Sequence, residues 1–463
     1  MTLILMSKFL KYSLSLFTLL AFISCNNDTK KSTFFGGKIK NPKSDHVILF
    51  NNDSAIDTIF LNEKNIFSAK YDSLPEGLYH FKHGPEHQFV YIEPNDSILI
   101  RLNTWDFDES LVFSGIGAEK NNALIGVYLD IEKEKKDFYP HYKLKPSEFK
   151  QKADQLLTDK KEQFEDFLKE NPDTSKDFLE LFKITLNYPI YARLEYYPEI
   201  YKNKQKLDKL PELPDNFFEH RKNASLELGE YINYYAYRYY FYNRIYADVN
   251  VEEDNGNCDN YIVTVLNSID KNVTKEETKN IVLKKGLIHH LYSESTCAVN
   301  KKAFYRFFEL STDIKDKKQI QRLLNDSKKL EVGSNLTDFN VYNYSNAEVN
   351  INDLIKNKKS VIYFWNDEFI TEDFLSSRIK HLIEKHPNLN FIGVKFGSNN
   401  TTHNKGYDIK SQYYITDKSK ANTFLSSKLP RTILVDTKGN IINGFASLSS
   451  KKIFNQLEDL EKN

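Results

Sequence analysis

Ser360-Val-Ile-Tyr-Phe-Trp365 is an unbroken apolar run, and the order of segments around it decides how the C-terminal part of the chain folds. A continuous β-branched and aromatic run is what a strand buried on both faces shows. Thr371-Glu-Asp373 then opens a helix whose Phe374, Leu375, Ile379, Leu382 and Ile383 make one apolar stripe, ending near Pro387. Residues 390–395 read as a second buried strand, 412–415 as a third, and 417–425 as a helix. A strand at 432–436, a tight turn at 437–440 and a strand at 441–445 follow, then a helix over about 450–460. Upstream, 338–342 is a short strand and 351–355 a turn of helix. This order predicts an α/β domain over 331–463 with a mixed sheet.

The rest of the 463 residues leaves room for further domains. Between 34 and 120, short β-rich runs alternate with Gly, Pro, Asn and Asp. The predicted strands are 34–40, 47–50, 57–61, 66–71, 78–82, 89–92, 97–102 and 111–113, with hairpin loops at 62–65 and 75–77. His80, His83 and His87 do not share a strand face, and a hairpin surface explains them without a metal. From 121 to 330 the pattern is helical. Pro146-Ser-Glu148 opens an amphipathic run to Glu170, and Asp173-Thr-Ser175 caps the next helix. After Pro214 a long helix through about Tyr246 carries eight tyrosines, interrupted by Arg238 and Arg244. Its rings face nearly every side, which suits packing between layers better than a ligand groove. Helices over 275–291, 301–310 and 315–330 complete an irregular bundle, and His289 and His290 point to different faces. The fold class is therefore multidomain α+β.

Composition narrows the function. Sixty-four basic residues balance 64 acidic ones, so no whole-chain positive field favours nucleic acid. Three cysteines exclude a disulfide-stapled scaffold and a Cys-rich zinc protein. No nucleophile elbow, phosphate-cradling Gly loop or His-Glu-x-x-His is present, and no cofactor is implied. At the N-terminus, Lys8 and Lys11 precede a short apolar run that ends at Cys25, followed by a polar stretch to Thr33. These are the marks of a secretory signal over 1–24. The segment before Cys25 resembles a bacterial lipobox, with Phe22 departing from the usual aliphatic residue. That resemblance implies a lipidated Cys25, with its palmitate, on a tether over 25–33. It places the protein in the cell envelope, at the outer membrane or facing the periplasm. Cys258 and Cys297 can pair only with each other, and sequence leaves open whether they do.

The C-terminal block resembles the thioredoxin-like domain of TlpA-type and peroxiredoxin-related envelope proteins. The residues that carry this are 332–339, Val361-Ile-Tyr-Phe-Trp365, and Lys428-Leu-Pro-Arg-Thr-Ile-Leu-Val-Asp-Thr-Lys-Gly-Asn-Ile441. The N-terminal block resembles the β-sandwich-like domain of unknown function that often precedes such domains in secreted lipoproteins. It does so through Ile39-Lys-Asn41, Leu74-Pro-Glu-Gly-Leu-Tyr79, Ile92-Glu-Pro-Asn-Asp-Ser-Ile98 and the stretch from Phe113 to Asn121. The family's Cys-x-x-Cys falls on Phe369-Ile370-Thr371-Glu372, so both thiols are missing, and its buried acid aligns with Tyr363. Acidic residues Asp367, Glu368, Glu372 and Asp373 surround that helix start and read as N-terminal capping without a metal. The family's cis proline aligns with Pro430, and the resemblance implies a groove lined by Phe369, Leu429 and Arg431.

The reading that follows is a membrane-anchored envelope lipoprotein with a degenerate, non-redox thioredoxin-like domain that binds a protein or peptide. One alternative is a TlpA-like thiol-disulfide oxidoreductase, with Cys258 or Cys297 as the reactive thiol. The other is a glycan-binding surface lipoprotein that uses the tyrosine-rich helix.

Overall fold

The computed structural model describes residues 32–52, 54–84, 86–252, 258–293, 301–366, 370, 372–396, 411–450 and 452–462. Among these residues the chain is mixed α/β, with eleven α-helices and three sheets, and no helix is long and apolar enough to cross a membrane. It divides into two compact units, the first built on the chain up to Ile125 and the second beginning in earnest at Gly126.

The first unit holds β1 (Thr33–Lys40), β2 (His46–Asn51), β3 (Ser54–Phe60), β4 (Ile66–Tyr71), β5 (Gly77–His83), β6 (Glu86–Ile92), β7 (Ser97–Asn103) and β8 (Val112–Ile116). They form two four-stranded sheets, ordered β4-β1-β7-β8 and β3-β2-β5-β6. Period-two alternation turns Phe35, Ile39, Val47, Leu49, Phe81 and Ile98 inward. Phe35 of one sheet lies 5.8 Å from Phe81 of the other, so the two sheets share an aromatic core.

Two expectations are corrected here. The loops at 62–65 and 75–77 are not hairpins, because β3 and β4, and likewise β4 and β5, belong to different sheets. Asn62 shapes the first loop by accepting the N–H groups of Lys64 and Ile66. His83 is not a surface residue. It is buried, donates to His46 O at 2.9 Å and accepts the Lys43 N–H at 3.0 Å, which fixes it as a neutral structural imidazole.

The helices are α1 (Ala118–Phe138), α2 (Pro146–Glu170), α3 (Lys176–Gln205), α4 (Tyr235–Glu252), α5 (Cys258–Asn272), α6 (Glu276–Ser293), α7 (Lys301–Leu310) and α8 (Ile314–Lys329). Ser175 caps α3 by accepting the Phe178 N–H. The tyrosine-rich helix starts at Tyr235, later than the sequence suggests, because the preceding chain makes two short 3₁₀ turns, with amides between them bonded to tyrosine hydroxyls. Ser225 N–H donates to Tyr188 Oη, and Leu228 N–H to Tyr237 Oη. Tyr234, Tyr237 and Tyr240 are buried between α3 and its surroundings, and burial pushes the Tyr234 phenol up to about 12. These rings are core, with their polar tips holding down loops.

The C-terminal part contains β9 (Asn340–Tyr342), β10 (Glu348–Asn350), α9 (Ile351–Ile355), β11 (Ser360–Trp365), α10 (Glu372–Lys385), β12 (Asn390–Lys395), β13 (Gln412–Tyr414), β14 (Arg431–Val435), β15 (Ile441–Ala446) and α11 (Ile453–Lys462). Its seven-stranded sheet runs β10-β9-β13-β12-β11-β14-β15. The central β11 is parallel to β12 and antiparallel to β14, so the sheet is mixed, as the order of segments predicts. Every residue of β11 is buried, and Leu375, Ile379 and Leu382 pack α10 against Val361, Tyr363 and Trp365. Ile383, placed in the same stripe by the sequence, is partly exposed. The helix expected over 417–425 is reduced to a 3₁₀ turn, Lys420–Thr423. Just beyond it, Asp326 of α8 takes the N–H groups of Ser426 and Ser427 and fixes the chain that leads to β14.

Candidate functional site: a closed strand end and a charged cavity

The expected redox position lies between β11 and α10. Residues 331–463 contain no cysteine. Ile370 packs onto the core and donates its N–H to Asn366 O. Phe369 and Thr371, with Asp367 and Glu368, lie outside the described residues, as do the side chains of Glu372, Asp373 and Phe374. Tyr363, which aligns with the family's buried acid, has no exposed surface and accepts a hydrogen bond from Gln412 Nε2 at 2.6 Å. Gly393 sits in register between the two, and a Cβ there would collide with the Gln412 side chain. Trp365 is buried beneath the Lys395 ammonium, 5.0 Å from its ring centre.

Beside this strand end the structure corrects the proposed groove. Among the described residues no peptide bond is cis, so Pro430 follows the trans bond that X–Pro peptides favour when nothing forces the alternative. Leu429 and Pro430 are half-buried. Arg431 does not line a groove at all, since it is only 1% exposed and points into the protein. Its Nη2 donates to Asp326 Oδ2 and to Ser427 Oγ, both at 3.1 Å, and its Nη1 to Phe424 O. Its guanidinium lies 4.6 Å from the Phe445 ring centre. A charge this far from water is held only where a carboxylate and several acceptors surround it, and here α8 supplies the carboxylate. Cys25, Cys297 and the Cys258 side chain lie outside the described residues, so lipidation and the Cys258–Cys297 bond are not addressed by the structure.

The helical part holds a feature that the sequence reading did not assemble. A cavity of about 1030 Å³ opens among α3, α4, α5 and the chain linking α3 to α4. Glu195 and Glu199 come from α3, Phe218 and Arg221 from the link, Asn243, Arg244, Tyr246 and Asp248 from α4, and Tyr261, Asn267, Ser268 and Lys271 from α5. Its anchor is Glu195, whose side chain has no exposed surface. It accepts from His220 Nε2 at 2.8 Å and from Arg221 through a fork, Nε at 2.8 Å and Nη2 at 2.5 Å. Arg244 closes the other end of the network on Asp248, one turn along α4. Arg221 also lies flat over Phe218, 3.8 Å from its ring centre.

Burial alone would raise the Glu195 pKa, but the hydrogen bonds from Arg221 and His220 outweigh it and leave the carboxyl below its usual value. The same fork overcomes the opposing effect of burial on Arg221 and raises its pKa. Two signals for this network stood in the sequence. One is a Glu flanked directly by Leu194 and Tyr196 in α3, and the other is an Arg and an Asp four residues apart on α4.

No protein-family model matches the chain, and no curated protein does. Solved structures similar to part of it include a Bacteroides vulgatus protein described as a thiol-disulfide oxidoreductase, 23% identical. It matches over 28% of this chain and 98% of its own, with a TM-score of 0.23. A Chlorobium tepidum protein described as thiol:disulfide interchange protein DsbE is 13% identical over 28% of this chain and 98% of its own, with the same score. A thiol peroxidase from Chromobacterium violaceum is 12% identical, over 28% and 85%, with a TM-score of 0.24.

Proposed function

We propose that the chain is a lipid-anchored binding protein of the cell envelope, whose thioredoxin-like part has no redox centre and takes a protein or peptide partner beside Leu429 and Pro430. The observation that carries this reading is the absence of any sulfur between residues 331 and 463. Without a thiolate at the start of α10, no dithiol–disulfide couple runs there. What the fold retains is a half-buried Leu-Pro step at the entry to β14, an apolar surface against which a partner segment can pack. Arg431 is excluded from that contact by its inward bonds, which confines the docking surface to Leu429, Pro430 and their immediate surroundings.

Two assays test this. Purified chain should reduce the disulfides of insulin no faster than dithiothreitol alone. A faster rate that disappears in Cys258→Ser or Cys297→Ser would replace this reading with an oxidoreductase. A photo-crosslinking residue at position 429 should give a discrete adduct in envelope fractions that the same residue at the surface position 383 does not. Equal labelling would remove the Leu-Pro step from consideration. The anchor is tested separately, since Cys25→Ser should shift the chain from the membrane to the soluble fraction.

A further inference from the structure

The cavity beside α4 is independent of the thioredoxin-like part, and we propose that it is a binding site for a neutral saccharide. Its charges decide the class of ligand. The lining holds three carboxylates, Glu195, Glu199 and Asp248, and three cations, Arg221, Arg244 and Lys271. Both guanidinium groups already face built-in carboxylates, Arg221 on Glu195 and Arg244 on Asp248. A phosphate or carboxylate entering the cavity would have to compete for Arg221 with Glu195, which is fully buried and cannot turn out to water, and for Arg244 with Asp248. A cationic ligand would meet the same obstacle from Arg221 and Arg244. A neutral ligand rich in hydroxyl groups faces neither, because each hydroxyl both donates to a carboxylate and accepts from an N–H without breaking an existing pair.

The remaining lining fits the same class. Asn243 and Asn272 are each pinned by their amide nitrogen, to Ala192 O and Ser268 O, and Asn267 by its oxygen, which accepts from Arg306 Nε. The opposite ends of these three amides make no hydrogen bond among the described residues. The side chains are therefore held by one end, and two carbonyl acceptors and one donor are left for a ligand. Tyr246 and Tyr261 stack on one another, 6.3 Å between ring centres and 14° from parallel, and together make an aromatic wall of the cavity against which sugar C–H groups pack. Planar polar groups beside an aromatic wall, at zero net charge, match the hydroxyl and C–H faces of a sugar ring. The volume sits at the upper end of the ~300–1,000 Å³ range of small-molecule sites, enough for more than one ring.

The experiment is calorimetric titration of the full chain with linear oligosaccharides of glucose, mannose, xylose and N-acetylglucosamine, up to about 10 mM, where even a millimolar site approaches saturation. Inorganic phosphate and an acetylated, amidated tetrapeptide are titrated in parallel. Saturable binding of at least one saccharide is expected, unaffected by phosphate and weakened about tenfold or more by Tyr261→Ala and by Asp248→Asn. Tyr261→Phe, which keeps the ring, should bind more tightly than Tyr261→Ala and controls for loss of folding. Leu429→Ala should bind as the unaltered chain does, which separates this site from the Leu-Pro step. Absence of saccharide binding at the highest concentration, binding that both cavity variants leave intact, or saturable binding of phosphate or peptide in the cavity instead would each overturn the proposal.

Discussion

Two arginine–carboxylate pairs in the second unit show how the same chemistry serves opposite ends. Arg431 and Asp326 have no exposed side-chain surface, and every neighbour of the pair is protein. Arg221 and Glu195 share an equally buried carboxylate, yet the guanidinium keeps 26% of its surface and borders a cavity. The first pair is enclosed by protein: it fastens α8 to the start of β14 and the turn at Ser426 and Ser427, although Arg431 Nε finds no hydrogen-bond partner among the described residues. The second is half-finished, with one face committed to the fold and the other turned toward a space. The difference teaches that a buried charge marks a site only where its partner also borders an open cavity.

Removing one partner from each pair should separate them most sharply. Asp326→Ala leaves Arg431 charged and without water, which costs about 3–5 kcal/mol for a buried pair. It also frees the Ser426 and Ser427 amides. Urea unfolding of the second unit should show that loss, and Asp326→Ala/Arg431→Met should recover part of it; a single variant as stable as the unaltered chain would deny the clamp. Glu195→Gln should cost less, about 1.5–3 kcal/mol, because the amide keeps one acceptor for the fork and Arg221 reaches water through the cavity. Equal losses at the two carboxylates would erase the contrast. Arg221→Lys should cost about 1 kcal/mol in the same measurement, since an ammonium replaces a two-pronged fork by a single contact at a partly exposed position.

The contrast also explains what the sequence could convey. The buried strands β11 and β12 and the bounds of α2, α7 and α9 are legible residue by residue, because they depend on local period and capping, as at Pro146 and Ser175. The 3₁₀ turn at Lys420–Thr423 is not, since the Asp326 carboxylate that holds the chain just after it lies about a hundred residues away. Arg431 is misread for the same reason. Its neighbours in sequence, Leu429 and Pro430, suggest a groove, while its actual partners sit on α8. The parallel pairing of β1 with β7 is likewise invisible to a local pattern, because a strand's alternation does not say which strand lies beside it. The cavity was half legible. Arg244 and Asp248 stand one helical turn apart, but nothing local brings Glu195 between them and His220.

The smallest effect is the one that tests whether the open pair remains an ion pair in solution. The Glu195 carboxyl lies below its ordinary value of 4.5 in the folded protein, because Arg221 and His220 hydrogen-bond to its charged form. The unfolded chain therefore takes up a proton at Glu195 at higher pH than the folded one does. The stability this contributes is fully present above the unfolded value and is lost as pH falls through the folded one. Glu195→Gln has no such proton to take up. The stability gap between the unaltered chain and Glu195→Gln should thus be constant above about pH 6 and shrink steadily below about pH 4.5. Urea midpoints collected from pH 7 down to about pH 3 would follow it. A gap that stays constant across this range would mean that Glu195 is not held as a charged partner, and the mixed-charge lining on which the proposed saccharide site rests would lose its anchor.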